Sequence, residues 1–100
     1  MSGKSAAKVY TPEEARERLS QSLPHWTLAD GQLARSYKTR KWPETVMLLN
    51  AIAYLAEQAD HHPDITASYA ALGVRLTTHS AGGITDKDFD LAEKIEALAV

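Results

Sequence analysis

The chain has 100 residues, of which 44% are hydrophobic and 24% are charged, and this fits one globular domain with a modest core. Its 13 acidic and 11 basic residues leave a net charge of −2, which argues against strong attraction to nucleic acid or an anionic membrane. The chain has no cysteine, which excludes disulfides, thiolate metal sites and a cysteine nucleophile. With no apolar run near the ~20 residues that span a bilayer and no signal-peptide pattern, we expect a cytoplasmic protein.

The first two elements in chain order are a helix and a β-hairpin. Thr11 is a favourable N-cap, Pro12 suits the first helical position, and Glu14 can complete a capping box with the threonine. In the hairpin, alternating apolar residues flank Asp30 and Gly31, a pair that is typical of a tight type I′ turn. A flexible segment over residues 1–10 is expected to precede these elements.

The longest helical pattern begins at Pro43 and ends near Asp60. Apolar residues recur there at helical spacing and are predicted to face the core: Leu48, Leu49, Ile52, Leu55, Ala56 and Ala59. Further apolar residues widen this surface beyond one face: Val46, Met47 and Ala53. The excess of apolar surface suggests a partner subunit.

A second hairpin and a third helix complete the chain. The alternating runs begin near Ile65 and Leu72, and Thr85 is placed to cap the last helix. Strands joined in hairpins pair antiparallel, and helices with one apolar face must cover such a sheet. We therefore predict a single α+β two-layer domain over residues 11–100.

Two of the four histidines are adjacent, at His61 and His62, where Pro63 disfavours further helix. The negative end of a helix dipole favours a protonated imidazole at His61, and Glu57 four residues earlier would add to this. Such a histidine would suit a general acid near neutral pH. The same features also fit an alternative in which His61 caps the helix and forms an ordinary pair with Glu57.

His79 lies at the end of the last predicted strand, immediately before a turn, and antiparallel pairing would bring it close to His62. The alternative for His79 is a solvent-exposed strand end. A zinc site is disfavoured because adjacent histidines rarely aim at one ion and no helical His-x-x-x-His spacing occurs, so we predict no metal site. Asp88 follows the Thr85 cap by three residues and fits a capping box.

Fixed intervals join these side chains, with three, five, nine and eight residues between the successive members Glu57, His61-His62-Pro63, Tyr69, His79 and Asp88. This pattern, together with the stretch LTTHSAGGITDKDFDLA, resembles the pterin-4a-carbinolamine dehydratase family over nearly the whole chain. The resemblance implies a four-stranded antiparallel sheet with three helices packed on one face, in the order α-β-β-α-β-β-α. The chain departs from the family at His25, where glycine is usual.

The resemblance also implies an activity. The enzymes of this family dehydrate 4a-hydroxytetrahydrobiopterin to the quinonoid dihydropterin, which recycles the cofactor of aromatic amino acid hydroxylases. It implies no metal or other cofactor, since the pterin is the substrate. The implied partners are further copies of the chain, as a homodimer or homotetramer, and a functional link to a hydroxylase, without nucleic acid or membrane. The alternative is a non-enzymatic dimerisation module of the transcriptional coactivator type.

Residue roles follow from the same resemblance. His61 and His79 would be general acids, and His62 would bind and orient the pterin and is a candidate for taking the N5 proton. The implied substrate-binding set is Asp60, His61, His62, Pro63, Thr77, Thr78, His79 and Ser80. The supporting residues are Glu57, Asp88 and Trp26, of which Glu57, with Asp60, would orient the imidazoles. Trp26 matches a family aromatic near the pocket, although a strand tryptophan is more often a core residue.

Overall fold

The computed structural model describes residues 8–99, which form three α-helices and four strands. In chain order these are α1 (Pro12–Ser22), β1 (Thr27–Ala29), β2 (Gln32–Lys38), α2 (Trp42–Ala59), β3 (Asp64–Ser68), β4 (Ala71–Leu76) and α3 (Asp86–Ala99). The order confirms the predicted α-β-β-α-β-β-α fold. Most of the segment predicted to be flexible lies outside the described residues. Its last residue, Tyr10, donates its backbone N–H to the carbonyl of Ile84 at 2.8 Å.

The first helix begins as its sequence predicts. The Thr11 side chain accepts a hydrogen bond from the Glu14 backbone, and the Glu14 carboxylate accepts one from the Thr11 N–H, so the capping box is complete. The helix ends at Ser22, two residues before Pro24, and Leu23 closes it by donating its N–H to the Leu19 carbonyl. The buried face of α1 consists of Ala15 and Leu19.

The first hairpin turns at Asp30 and Gly31, which have φ angles of 54° and 74°. Two successive positive φ angles define a type I′ turn, which hairpins favour because its twist matches that of the strands that it joins. The register that follows pairs Ala29 with Gln32 and Leu28 with Leu33. The predicted turn is therefore confirmed.

All four strands form one antiparallel sheet in the order β1-β2-β4-β3. Alternate residues of the central strand β4 are fully buried at Leu72, Val74 and Leu76, whereas Arg75 between them is exposed. One face of the sheet therefore carries the helices and the core, and the other face is more open.

The second helix packs on this core with a narrower face than the sequence predicts. Ile52 and Ala56 are buried, but Ala59, which was predicted to face the core, is exposed. It lies in the last turn of α2, next to the left-handed Asp60 that ends the helix. Met47 and Tyr54 are exposed by 72% and 64%, so the excess apolar surface of α2 is real. No helix within residues 8–99 is long and apolar enough to cross a membrane.

The third helix is tied to the sheet by one carboxylate that accepts from three side chains. Glu96 accepts hydrogen bonds from Trp26 Nε1 at 2.9 Å, from Tyr37 Oη at 2.6 Å and from Arg35 Nε at 3.1 Å. Burial alone would raise the pKa of Glu96, but these hydrogen bonds outweigh burial and leave the pKa below its ordinary value. Burial and the bond to Glu96 raise the pKa of Tyr37.

Candidate active site

The turn after α2 sets the direction of the histidine pair. Asp60 adopts the left-handed conformation with φ 51°, and its N–H bonds to the carbonyls of Ala56 and Glu57. The N–H of His61 bonds to the carbonyl of Ala56 at 3.1 Å, which completes a Schellman motif. The helix therefore ends at a left-handed aspartate, where glycine is the usual residue, before Pro63 has any effect.

His61 forms a buried pair with Asp88 of α3. Its Nε2 lies 2.5 Å from Asp88 Oδ1, and the two side chains are 11% and 0% exposed. The predicted pairing of His61 with Glu57 is therefore wrong. The Schellman turn rotates His61 away from the helix surface and into contact with α3, so tertiary packing overrides the i,i+4 spacing.

The carboxylate of Asp88 is fully satisfied inside the protein. Its Oδ2 accepts from the Thr85 N–H at 2.9 Å and from Thr78 Oγ1 at 2.8 Å, while Oδ1 faces His61. The one hydroxyl proton of Thr78 goes to Asp88, so the Thr85 hydroxyl donates to Thr78 Oγ1 at 2.8 Å and accepts from the Lys87 N–H. The predicted capping contact is present, and the same carboxylate also holds the imidazole. Because a carboxylate only accepts, Asp88 fixes the His61 tautomer with a proton on Nε2.

His62 faces solvent instead. Its Nε2 lies 3.0 Å from Glu57 Oε1, with the two side chains 60% and 82% exposed. Glu57 therefore contacts the second histidine of the pair, five residues later, and not the first. A contact between two side chains this exposed contributes little to stability.

His79 begins a single 3-10 turn beyond β4, which ends at Leu76. Thr78, the residue before it, donates its N–H to the Gly83 carbonyl at 3.0 Å, and its own carbonyl accepts from three N–H groups of the turn. With its hydroxyl on Asp88, Thr78 has all its polar groups engaged within the protein. Among the predicted substrate-binding residues it therefore fits a supporting position better than direct contact, and the exposed His79 and Ser80 fit contact better.

The sheet brings the three histidines to the same end of the molecule. Asp64 of β3 pairs with Arg75 of β4, and the same register continued by three residues places His61 opposite Thr78. Both residues bind Asp88, and His79 follows directly. The arrangement can hold one imidazole in a fixed tautomer and present two others to solvent, which is a geometry for acid–base chemistry on a ligand at the surface.

Trp26 does not join this cluster. It is 2% exposed and bonds to Glu96, which is two helical turns, or about 12 Å, along α3 from Asp88. Trp26 is a core residue. Its partner Glu96 was not predicted, because no local sequence pattern indicates which side chain a carboxylate on α3 will contact. Within residues 8–99 no group of three or more His, Asp or Glu side chains is arranged to hold a metal ion.

Two cavities formed by the described residues lie away from His61, His62 and His79. One of about 630 Å³ lies between α2 and the end of α3, and its walls include Met47, Leu48 and Leu98. A second of about 580 Å³ lies over the open face of the sheet, beside Arg75. His62 and His79 are exposed, so the histidine cluster is open to solvent on that side.

The fold and the site define a small α+β protein with a histidine–aspartate pair at the end of a helix-covered antiparallel sheet. A family model described as Pterin 4 alpha carbinolamine dehydratase matches residues 8–98. The chain belongs to this family, as its sequence pattern indicated.

One similar protein, from Picosynechococcus sp., is 44% identical over 88% of this chain and 95% of its own length. Another, from Aquifex aeolicus, is 41% identical over 86% and 87%. Both carry the name "Putative pterin-4-alpha-carbinolamine dehydratase".

Two solved structures resemble the fold. A transcriptional coactivator/pterin dehydratase from Brucella melitensis superimposes with a TM-score of 0.85 at 30% identity, covering 93% of this chain and all of its own. A pterin dehydratase-like protein described as a RuBisCO assembly factor in the alpha-carboxysome superimposes with a TM-score of 0.58 at 23% identity, covering 68% of this chain and 79% of its own. The second likeness concerns the fold alone.

Proposed function

We propose that this protein dehydrates 4a-hydroxytetrahydrobiopterin to the quinonoid dihydropterin. The observation that carries the proposal is the buried His61–Asp88 pair beside two exposed histidines, in a chain of the dehydratase family. The proposed role in metabolism is to return the pterin cofactor of aromatic amino acid hydroxylases to a form that can be reduced again.

The reaction is a loss of water with no oxidation or reduction. The C4a–O bond breaks while the departing hydroxyl receives a proton, and N5 gives up its proton as the C4a–N5 double bond forms. One imidazolium and one neutral imidazole can perform both transfers, because histidine titrates near neutral pH. In this proposal side chains alone carry the chemistry, without a metal or another cofactor.

The roles that we propose for the three histidines combine the family resemblance with the surroundings of each ring. Asp88 holds the Nε2–H of His61, which leaves Nδ1 of that ring as the nitrogen that exchanges protons with the pterin. His79 would be the second general acid, from the adjacent turn. His62, which is exposed and restrained by Glu57, would orient the flat ring and is the candidate acceptor of the N5 proton. Asp60, Pro63, Thr77 and Ser80 would border the ligand.

The direct test is stopped-flow absorbance with 4a-hydroxytetrahydropterin generated in the instrument. We expect the wild-type protein to accelerate dehydration well beyond the rate in buffer at the same pH, with saturation as the pterin concentration rises. Because buffer also catalyses this reaction, the comparison is made at several buffer concentrations and extrapolated to zero. A rate equal to buffer alone would refute the proposed activity.

We also propose that copies of the chain assemble through α2 into a homodimer or homotetramer. Met47 and Tyr54 lie two helical turns apart on one side of this helix and are largely exposed, as is Trp42 at its start. The same surface is the observation that favours the second candidate function, a protein-binding role of the coactivator type that the name of the Brucella protein includes. The two roles can coexist.

Sedimentation velocity tests the assembly. Met47→Glu places a charge on the apolar side of α2 and is expected to shift the protein to a smaller species at micromolar concentration. Tyr69→Glu is the matched control, since Tyr69 is 66% exposed but lies in the turn after β3. If both variants keep the sedimentation coefficient of the wild type, α2 is not the interface.

A further inference from the structure

A short strap precedes α1 and lies against the loop that carries His79. The strap consists of residues 8–10, and the His79 loop of residues 78–83. The Tyr10 N–H donates to the carbonyl of Ile84 at 2.8 Å, directly after this loop. A Cβ placed on Gly83 would lie 2.7 Å from Val9 Cγ1, so the Val9 side chain of the strap lies directly against the glycine.

The strap is fastened at Tyr10 by α1 and α3. The Tyr10 hydroxyl donates to Asp86 Oδ1 at 2.5 Å and accepts from Arg18 Nη1 at 2.5 Å, and Arg18 also reaches Asp86 at 2.7 Å. The Tyr10 ring centroid lies 4.9 Å from that of Phe89, which is fully buried. The hydrogen bond with Tyr10, followed by that with Arg18, lowers the pKa of Asp86, so the acceptor stays ionised near neutral pH.

The fastening continues through the backbone to His79. Thr78 and Gly83 exchange two hydrogen bonds, of 3.0 Å and 3.3 Å, that close the base of the His79 loop. One side of this base is held by Asp88 through the Thr78 hydroxyl. The other side, at Gly83 and Ile84, is the side on which the strap lies. His79 is the first residue after Thr78, so the direction of its side chain depends on how firmly this base is held.

We propose that Tyr10 is a positioning residue for His79, acting through the strap that holds Gly83 and Ile84 against the rest of the fold. The catalytic consequence of this role rests on the proposed dehydratase function. The structural part does not, because it concerns the order of the His79 loop in the protein without substrate.

The test uses Tyr10→Phe, which removes the hydroxyl and keeps the ring on Phe89. The matched control is Tyr69→Phe, which removes the hydroxyl of a tyrosine that is 66% exposed in the turn after β3. Amide hydrogen exchange is measured on both variants and the wild type without ligand. We expect the amides of Ala81, Gly82 and Gly83 to exchange about fivefold faster in Tyr10→Phe, the factor that one net hydrogen bond gives, with amides in α2 unchanged.

The kinetic arm separates positioning from general stability. In Tyr10→Phe we expect kcat for pterin dehydration to fall severalfold with KM nearly unchanged, whereas Tyr69→Phe keeps both constants. Unchanged exchange in the His79 loop would overturn the proposal, and so would faster exchange with an unchanged kcat. If wild-type protein lacks dehydratase activity, the proposed function fails, and the exchange arm still decides whether the strap holds the loop.

Discussion

Replacing His61 by alanine is expected to lower kcat/KM for pterin dehydration by about 10²–10⁴-fold, the usual contribution of a positioned acid–base group. The ring is almost fully buried and its Nε2 is fixed by Asp88, so solvent cannot supply an equivalent proton donor at the same place. The measurement is stopped-flow absorbance at saturating and limiting pterin.

The other two histidines are expected to differ in which constant they change. His79→Ala is expected to act mainly on kcat, and His62→Ala mainly on KM, since His62 is assigned to binding.

Asp88→Asn sharpens this test because it changes which nitrogen of His61 carries the proton, while the side chain at position 88 keeps nearly the same shape. The asparagine oxygen can still accept from Thr85 and Thr78, which leaves its amide to donate to His61 Nε2. The neutral imidazole then carries its proton on Nδ1, and the imidazolium, which is the form that acts as a general acid, loses the carboxylate that stabilises it. The analogous change in Ser-His-Asp triads lowers kcat by about 10⁴. We expect at least a 10²-fold loss here, together with a reversed tautomer in the ¹⁵N spectrum.

The double variant His61→Ala with Asp88→Asn gives the internal control. If Asp88 acts through His61, the losses will not multiply, and the double variant will be about as active as His61→Ala alone. His25→Ala is the matched histidine control and should retain full activity, because His25 is exposed in the turn between α1 and β1. His61→Ala with more than half of the wild-type rate would contradict the assignment.

The largest stability effect is expected for Glu96→Ala, which should lower the free energy of unfolding by about 3 kcal/mol. The substitution leaves Trp26 Nε1 and Tyr37 Oη, which belong to nearly buried side chains, without their acceptor and leaves Arg35 without its counter-charge. For a domain of this size the melting temperature would fall by roughly 12–20 °C. Thermal unfolding followed by circular dichroism measures both quantities.

The same network predicts how stability depends on pH. The pKa of Glu96 is lower in the folded protein than its ordinary value of 4.5, so its contribution is fully present above about pH 4.5 and is lost as the pH falls through the lowered value. Tyr37 has a raised pKa, so its contribution is present below its ordinary 10.0 and is lost as the pH rises beyond that. Urea unfolding from pH 2 to pH 11 should show both limbs.

Two variants control these measurements. Glu96→Gln retains one acceptor oxygen but has no charge, so it should lose about 1–2 kcal/mol and flatten the acid limb. Glu93→Ala removes an exposed carboxylate of the same helix, whose contact with Arg18 is 3.5 Å long, and should change stability by less than about 0.5 kcal/mol. Equal effects of Glu96→Ala and Glu93→Ala would show that the network does not stabilise the fold.

Local sequence patterns predicted the fold well because residues close together in the sequence determine where these elements begin or end. The Thr11 capping box needs only residues three apart, and the Asp30-Gly31 turn needs only two positive φ angles. Boundaries that depend on packing were less predictable. Ala59 continues the apolar period of α2 but is exposed in the last turn, next to the left-handed Asp60 that ends the helix.

The site was predictable as a set of residues and not as a set of contacts. Residue type and interval alone marked the three histidines and Asp88, because these side chains titrate or accept protons and lie where elements end. Spacing also suggested that Glu57 would pair with His61, but the left-handed turn at Asp60 gives Glu57 to His62 instead.

The sequence by itself therefore determined the order of helices and strands, the family and the histidine positions, since all three depend on neighbours along the chain. Only the tertiary structure decided that Asp88 binds His61, that Trp26 belongs to the Glu96 network, and that Tyr10 reaches the loop of His79. These contacts join residues from 27 to more than 70 positions apart. Such pairs are brought together by the packing of α3 against the sheet, and no short-range pattern encodes which side chains then meet.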